Sequence, residues 1–180
     1  MTYSDIIKLN RPVVLVGMMG AGKSTVGTRL AKKLRVQFYD TDNLVQEIAG
    51  CSIDDIFKYA GEDFFKEKER QVVEDLLNLS NCVISTGGGA FIDPVNRKLI
   101  KEKSTSIWLR ADYDTILERV SRRNTRPTLR TDNKEGLVDQ LIKECYPLYE
   151  EADLCVNSGD GPHMIIVDDI IKKIMELNKN

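Results

Sequence analysis

Apolar residues fall along this chain in two rhythms, short unbroken runs and longer stretches in which apolar positions recur every three to four residues. The short runs at residues 13–16, 36–40, 82–85, 105–109 and 154–157 predict strands. The first of these, four residues of Val-Val-Leu-Val, reads as buried on both faces. Helical spacing predicts helices over 25–34 (Val26, Leu30, Ala31 and Leu34 on one face), 42–50 (Leu44, Val45, Ile48) and 52–59 (Ile53, Ile56, Phe57). A long amphipathic helix follows over 62–79, with Phe65, Val72, Val73, Leu76 and Leu77 as core candidates. Further helices are predicted over 94–102, 112–122, 137–149 and 164–177. Ser52 and Asp55 have the spacing of a capping box that uses Asp in place of Glu. Residues 122–134 are polar, rich in arginine and carry Pro127, which predicts a mobile loop.

Strands that alternate with helices imply a parallel sheet covered on both faces, joined by right-handed crossovers. Ligands of such sheets lie at the carboxyl ends of the strands. Residues 17–24, Asp40, Asp42 and residues 87–89 all follow strands, so they should surround one cleft.

That cleft has a recognisable chemistry. Residues 17–24, Gly-Met-Met-Gly-Ala-Gly-Lys-Ser, fit the phosphate-loop pattern G-x-x-x-x-G-K-[ST] without a mismatch. Glycines let the backbone aim successive N–H groups inward as a nest for phosphate oxygens. The N-terminus of the helix that follows adds partial positive charge. Lys23 would then reach the β- and γ-phosphates, and the Ser24 hydroxyl would hold Mg²⁺. With strand, motif and helix in register, the alternative of a glycine-rich turn that binds nothing is set aside.

Composition narrows the rest. One domain spanning all 180 residues is the simplest division, with 42% hydrophobic and 30% charged residues, as in ordinary soluble proteins. A net charge of −2 offers no basic surface for nucleic acid. No apolar stretch approaches the ~20 residues that span a membrane, and the first eleven residues lack an apolar signal core. Cys51, Cys82, Cys145 and Cys155 form no C-x-x-C pair and the chain has one His, so reduced cytoplasmic thiols are expected rather than a zinc site. All four cysteines are read as small apolar residues.

Several side chains are candidates for the chemistry. Asp40 and Asp42 leave the second strand, and where the strand gives way to a turn, one carboxylate would face the phosphate loop and its metal and the other an acceptor pocket. Helix capping is the competing reading. The third strand ends in no acid, so Asp40 is the natural metal partner for Ser24. Gly87, Gly88 and Gly89 offer bare backbone for close approach of a ligand, or are a plain loop. Arg119, Arg122, Arg123, Arg126 and Arg130 crowd one window. Such a run is usually a solvated face, but a phosphotransferase needs cations over the transferring group. Arg126, beside Pro127, is the first choice, and Arg119 is placed to lie on adenine or the phosphates. His163 starts the last helix or lines the adenine pocket, and Trp108 belongs to the core.

At this point the residues resemble a known family. Gly-Met-Met-Gly-Ala-Gly-Lys-Ser-Thr, Asp-Thr-Asp at 40–42, G-E-x-x-F at 61–65 with Glu69, Gly-Gly-Gly at 87–89, Arg-Pro-Thr-Leu at 126–129 and Tyr-Pro-Leu-Tyr-Glu-Glu-Ala-Asp at 146–153 look like shikimate kinase. They occur in the family's order across nearly the whole chain. The resemblance implies a three-layer α/β P-loop fold of the nucleoside-monophosphate-kinase type, a five-stranded parallel sheet with an Arg-rich lid near 122–134 and acceptor-binding helices near 42–79. It implies ATP, Mg²⁺ and transfer of the γ-phosphoryl group to the 3-hydroxyl of shikimate, in aromatic amino-acid biosynthesis, by a cytoplasmic monomer. Carried over by position, Gly20, Ala21, Gly22, Lys23, Ser24 and Thr25 bind ATP and Arg126 is the lid arginine; Arg119, read from its own place on the preceding helix, joins the ATP-binding set. Ser24 binds Mg²⁺, with Asp40 in its outer shell. Asp42 orients or deprotonates the attacking hydroxyl, and Lys66, Glu69, Gly87, Gly88 and Gly89 meet the acceptor. Lys23, Asp42 and Arg126 form the catalytic set.

Two positions depart from that family. Its two arginines that clamp the acceptor carboxylate are Lys66 and Cys145 here. A lysine keeps the charge and loses the two-pronged contact. The residues therefore also admit a related kinase with another hydroxylated acceptor, or a nucleotide-binding regulatory module without catalysis.

Overall fold

The computed structural model describes residues 9–122, 133–159 and 161–179. Its centre is a parallel sheet of five strands: β1 (Val13–Val16), β2 (Gln37–Asp40), β3 (Cys82–Ser85), β4 (Thr105–Arg110) and β5 (Leu154–Asn157). Their order across the sheet is β2-β3-β1-β4-β5, with Leu15 opposite Ser85 and Ile107, and Asp40 opposite Ser85. The chain therefore runs out to one edge, returns through β3, and continues past β1 to the other edge. The switch point lies at β1, where open α/β sheets form their ligand crevice.

The helices cover both faces. They are α1 (Lys23–Leu34), α2 (Thr41–Ala49), α3 (Ile53–Asp55), α4 (Gly61–Leu77), α5 (Pro94–Lys103), α6 (Tyr113–Arg122), α7 (Lys134–Tyr149) and α8 (His163–Leu177). Leu15 faces α1, where it lies beside Gly27. Val16 and its register partner Trp108 point the other way, and Trp108 packs its ring on Tyr146 and Tyr149 of α7. The stripe Val26, Leu30, Ala31 and Leu34 is fully buried, as its spacing predicts, and so is the set Phe65, Val72, Val73, Leu76 and Leu77.

Helix ends explain most boundaries. Asp40 caps α2 by accepting from the Asp42 and Asn43 N–H groups, and Asp93 caps α5 from Val95 and Asn96, with Pro94 as the first helical residue. Ser52 caps α3 through the Asp55 N–H, and its own hydroxyl donates to the Asp55 carboxylate at 2.7 Å.

Some expectations fail in instructive ways. The helix predicted over 52–59 is a single turn that widens into a π turn over Ile56–Ala60, closed by Gly61 at φ 87°. Periodicity of 3.6 cannot register such a turn. Ile48 is 54% exposed, because α2 buries only Thr41 and Val45. Of the four cysteines only Cys82 is buried; Cys145 is half-buried, and Cys51 and Cys155 are exposed. The loop predicted over 122–134 lies almost wholly outside the described residues, Arg123, Arg126 and Arg130 with it; Arg122 closes α6 and Lys134 opens α7.

Candidate active site

The phosphate loop follows β1 because only glycine tolerates its backbone. Gly17 stands at φ 139° with its Cα so close to β4 that a Cβ would meet the Leu109 carbonyl oxygen at 2.7 Å. Gly22, at φ 89°, opens α1, whose first turn has no side-chain cap and no acid. The helix N-terminus thus points its N–H groups into a cavity of about 430 Å³, a ready site for an anion. Lys23 is buried and donates to the loop carbonyls of Gly17 at 2.6 Å and Met18 at 2.8 Å. Its ammonium is therefore held at the cavity wall.

The predicted nucleotide residues converge here. Gly20, Gly22, Lys23, Ser24, Thr25 and Arg119 line the cavity, with His163. Ala21 differs: its side chain is buried, and its carbonyl accepts from the Ser158 hydroxyl at 2.6 Å. Arg119 donates Nη1 to the Gly20 carbonyl at 2.8 Å, which ties α6 to the loop. His163 is both the first residue of α8 and a wall of the cavity. Burial, with the cations Arg29 and Arg119 adding to it, lowers its pKa and favours the neutral ring. Arg126 lies outside the described residues.

The Ser24 hydroxyl donates to Asp40 Oδ2 at 2.6 Å and lies 3.3 Å from the Ser85 hydroxyl. Three oxygen donors close together, without nitrogen or sulfur, suit a hard cation such as Mg²⁺. No group of three or more His, Cys, Asp or Glu side chains gathers for a metal among the described residues. The chain thus offers Mg²⁺ a partial set, to be completed by phosphate and water. Asp40 also caps α2 through its other oxygen, so capping and metal-facing geometry coexist.

Asp40 and Asp42 are not turned to separate cavities. β2 stops at Asp40 and α2 begins at Thr41, so both carboxylates line the first cavity while Thr41 is buried between them. The Thr41 hydroxyl accepts from the Gly87 N–H at 3.0 Å, a tie between segments 46 residues apart. A Cβ on Gly87 would lie 2.6 Å from Asp42 Oδ1 and 2.8 Å from Glu69 Oε1. Glycine at 87 is what lets two carboxylates close on one backbone segment.

A second cavity of about 550 Å³ opens beside the first, lined by Lys66, Glu69, Gly88 and Gly89 among others. Met19 and Gly88 line both cavities. The Tyr149 hydroxyl holds the Gly88 carbonyl at 2.5 Å. Lys66 forms a 2.8 Å ion pair with Glu62, whose hydrogen bond and charge raise its pKa and keep it cationic. Cys145 is a wall of this cavity, and burial pushes its thiol pKa up. Lys143, two residues before Cys145 on α7, pairs with Asp139 and is not among the residues lining this cavity. Arg70, absent from the sequence expectations, does line it, with Asp93. It stands one turn beyond Lys66, on the same face of α4.

Adjacent cavities that share a glycine and a methionine suit the passing of a group between two bound molecules. With a phosphate loop on the donor side, that group is a phosphoryl group, and fold and site define a small-molecule kinase of the P-loop class.

Comparison with known proteins makes this specific. A family model described as shikimate kinase matches residues 19–175. A shikimate kinase of Rhodopseudomonas palustris is 48% identical over 162 residues, 90% of this chain and 80% of the relative. The solved shikimate kinase from Acinetobacter baumannii in complex with shikimate superposes with a TM-score of 0.92 at 32% identity, covering 96% of this chain and 97% of that one. A gluconokinase from Sinorhizobium meliloti, at 18% identity and a TM-score of 0.61, shares the fold alone. The chain belongs to the shikimate kinase family.

Proposed function

We propose the following course for the ATP-dependent phosphorylation of shikimate by this enzyme. The triphosphate of ATP lies in the first cavity, cradled by the backbone of residues 20–25 and the N-terminus of α1. Lys23 exchanges its two carbonyl partners for phosphate oxygens, a change that needs only the end of a flexible side chain to move. Ser24 and Asp40 hold Mg²⁺, which when bound offsets charge on the phosphates. Arg119 steadies the nucleotide from α6, and the arginine at 126, outside the described residues, is assigned to the transferring group.

Shikimate occupies the second cavity with its ring against Gly88 and Gly89. Asp42 orients the 3-hydroxyl and accepts its proton as the oxygen attacks the γ-phosphorus. Glu69, buried beside Gly87, fixes the shape of that junction. Catalysis is then positioning and charge stabilisation rather than covalent chemistry. A monomer is the proposed working unit. Four free cysteines fit a reducing cytoplasm, and no described helix is long and apolar enough to cross a membrane.

The observation that carries this reading is the shared boundary of the cavities at Met19 and Gly88, with Asp42 beside it. An ADP-release assay with ATP, Mg²⁺ and shikimate tests it. Saturable turnover is expected, with the product phosphate on the 3-hydroxyl by NMR. Absence of turnover at millimolar shikimate would sink the assignment.

A further inference from the structure

We propose that Arg70 binds the carboxylate of the acceptor, a role that rests on shikimate being that acceptor. Among the described residues the second cavity is lined by four acids, Glu62, Glu69, Asp93 and Glu144, and two cations, Lys66 and Arg70. An anionic acceptor entering such a surface needs a cation that is both oriented and in possession of unused donors.

Lys66 meets this only partly. Its single ammonium is paired with Glu62, on the same helix and one turn before it, with both side chains largely exposed. Arg70 meets it fully. Nε and Nη2 both donate to Asp93 Oδ2, at 3.0 and 2.6 Å. Asp93 cannot turn away, because its other oxygen caps α5 by accepting from Val95 and Asn96. The helix cap therefore fixes the carboxylate, and the carboxylate fixes the plane of the guanidinium by one edge. A guanidinium carries five N–H donors in a rigid fork, and Nη1 makes no hydrogen bond among the described residues. That unused end belongs to a side chain lining the cavity. On the facing helix, position 145 is a neutral cysteine, so no cation there competes for the anion.

The arrangement also has a cost that sets its signature. Asp93 shares the guanidinium with the acceptor, so Arg70 discriminates for a carboxylate while holding it less tightly than an uncommitted arginine would.

The test compares Arg70→Met, and Arg70→Gln, which keeps a hydrogen bond to Asp93, on two acceptors: shikimate and its methyl ester. The expected result is a KM for shikimate raised roughly 10–100-fold in both variants, the scale of one lost charged hydrogen bond. The KM for the ester and for ATP should stay at the wild-type values. A KM for acid and ester that shifts equally would make Arg70 a structural clip between α4 and α5 and overturn the proposal, as would an unchanged KM for shikimate. A wild-type enzyme inactive on shikimate overturns the acceptor assignment and this inference together. An active wild type with variants of unchanged KM overturns the inference alone.

Discussion

Replacing Gly87 by alanine adds one carbon where the structure has no room for it. The new Cβ would stand 2.6 Å from Asp42 Oδ1 and 2.8 Å from Glu69 Oε1, against an ordinary contact near 3.4 Å. The backbone cannot retreat, since the Gly87 N–H is bound to Thr41 Oγ1 at 3.0 Å. One residue earlier, Thr86 is bound to the Leu15 carbonyl through both its N–H and its hydroxyl. Relief must come from the carboxylates, each displaced by 0.6–0.8 Å. Glu69 is only 3% exposed, so its displacement strains a packed interior. Overpacking of this kind costs about 1–3 kcal/mol, which in a chain of this size lowers Tm by about 3–10 °C. Moving Asp42 by most of an ångström from the attacking hydroxyl should lower kcat on the order of 100-fold. Steady-state ADP release and thermal unfolding measure the two effects, and ATP affinity serves as the readout that should not change. Gly89→Ala, where a Cβ meets nothing within 4 Å, should unfold at the wild-type temperature. A Gly87→Ala enzyme with wild-type kcat and Tm would refute the argument that glycine at 87 is there to admit the two carboxylates.

Three further outcomes follow from the same geometry. Lys23→Met removes the cation that Gly17 and Met18 hold at the cavity wall, and kcat should fall by about 10²–10³; an enzyme of intact turnover would remove Lys23 from the catalytic set. Asp93→Ala removes the cap of α5 and should cost about 1–2 kcal/mol in urea unfolding. Asp93→Asn keeps a capping oxygen and removes only the charge, and its penalty depends on pH. Burial pushes the Asp93 carboxyl up, but Arg70 and the Asn96 and Val95 N–H groups outweigh it, so its pKa lies below the ordinary 3.8. The charge therefore stabilises the fold fully above 3.8, and the contribution is lost as pH falls through the lower folded value. Urea midpoints of the wild type and Asp93→Asn should differ at neutral pH and converge below 3.8; a gap that persists in acid would contradict this.

Local patterns carried much of this protein. A phosphate loop is legible because each of its glycines answers a backbone demand that no other residue meets, as Gly17 and Gly22 show. The parallel sheet covered on both faces follows from alternating elements and right-handed crossovers, whereas the order β2-β3-β1-β4-β5 came only with the structure; Asp40 with Ser24 follows from strand ends meeting at one sheet edge. The π turn over Ile56–Ala60 was not legible, because its hydrogen-bond spacing leaves no mark on a 3.6-residue pattern. Arg70 was not legible either: on α4 it reads as one more solvated cation, and only the fold brings Asp93, 23 residues away, against it.

By itself, then, the sequence determined what each short segment is able to do: turn tightly, cap a helix, bury a stripe, hold a phosphate. Those properties depend on neighbours within one turn or one strand, where a few ångströms of chain decide the geometry. Several close approaches within the site were decided by the tertiary structure alone. The approach of Asp42 and Glu69 to Gly87, and the pairing of Arg70 with Asp93, join segments that are remote along the chain. Electrostatic interaction falls with distance through space and takes no account of distance along the sequence.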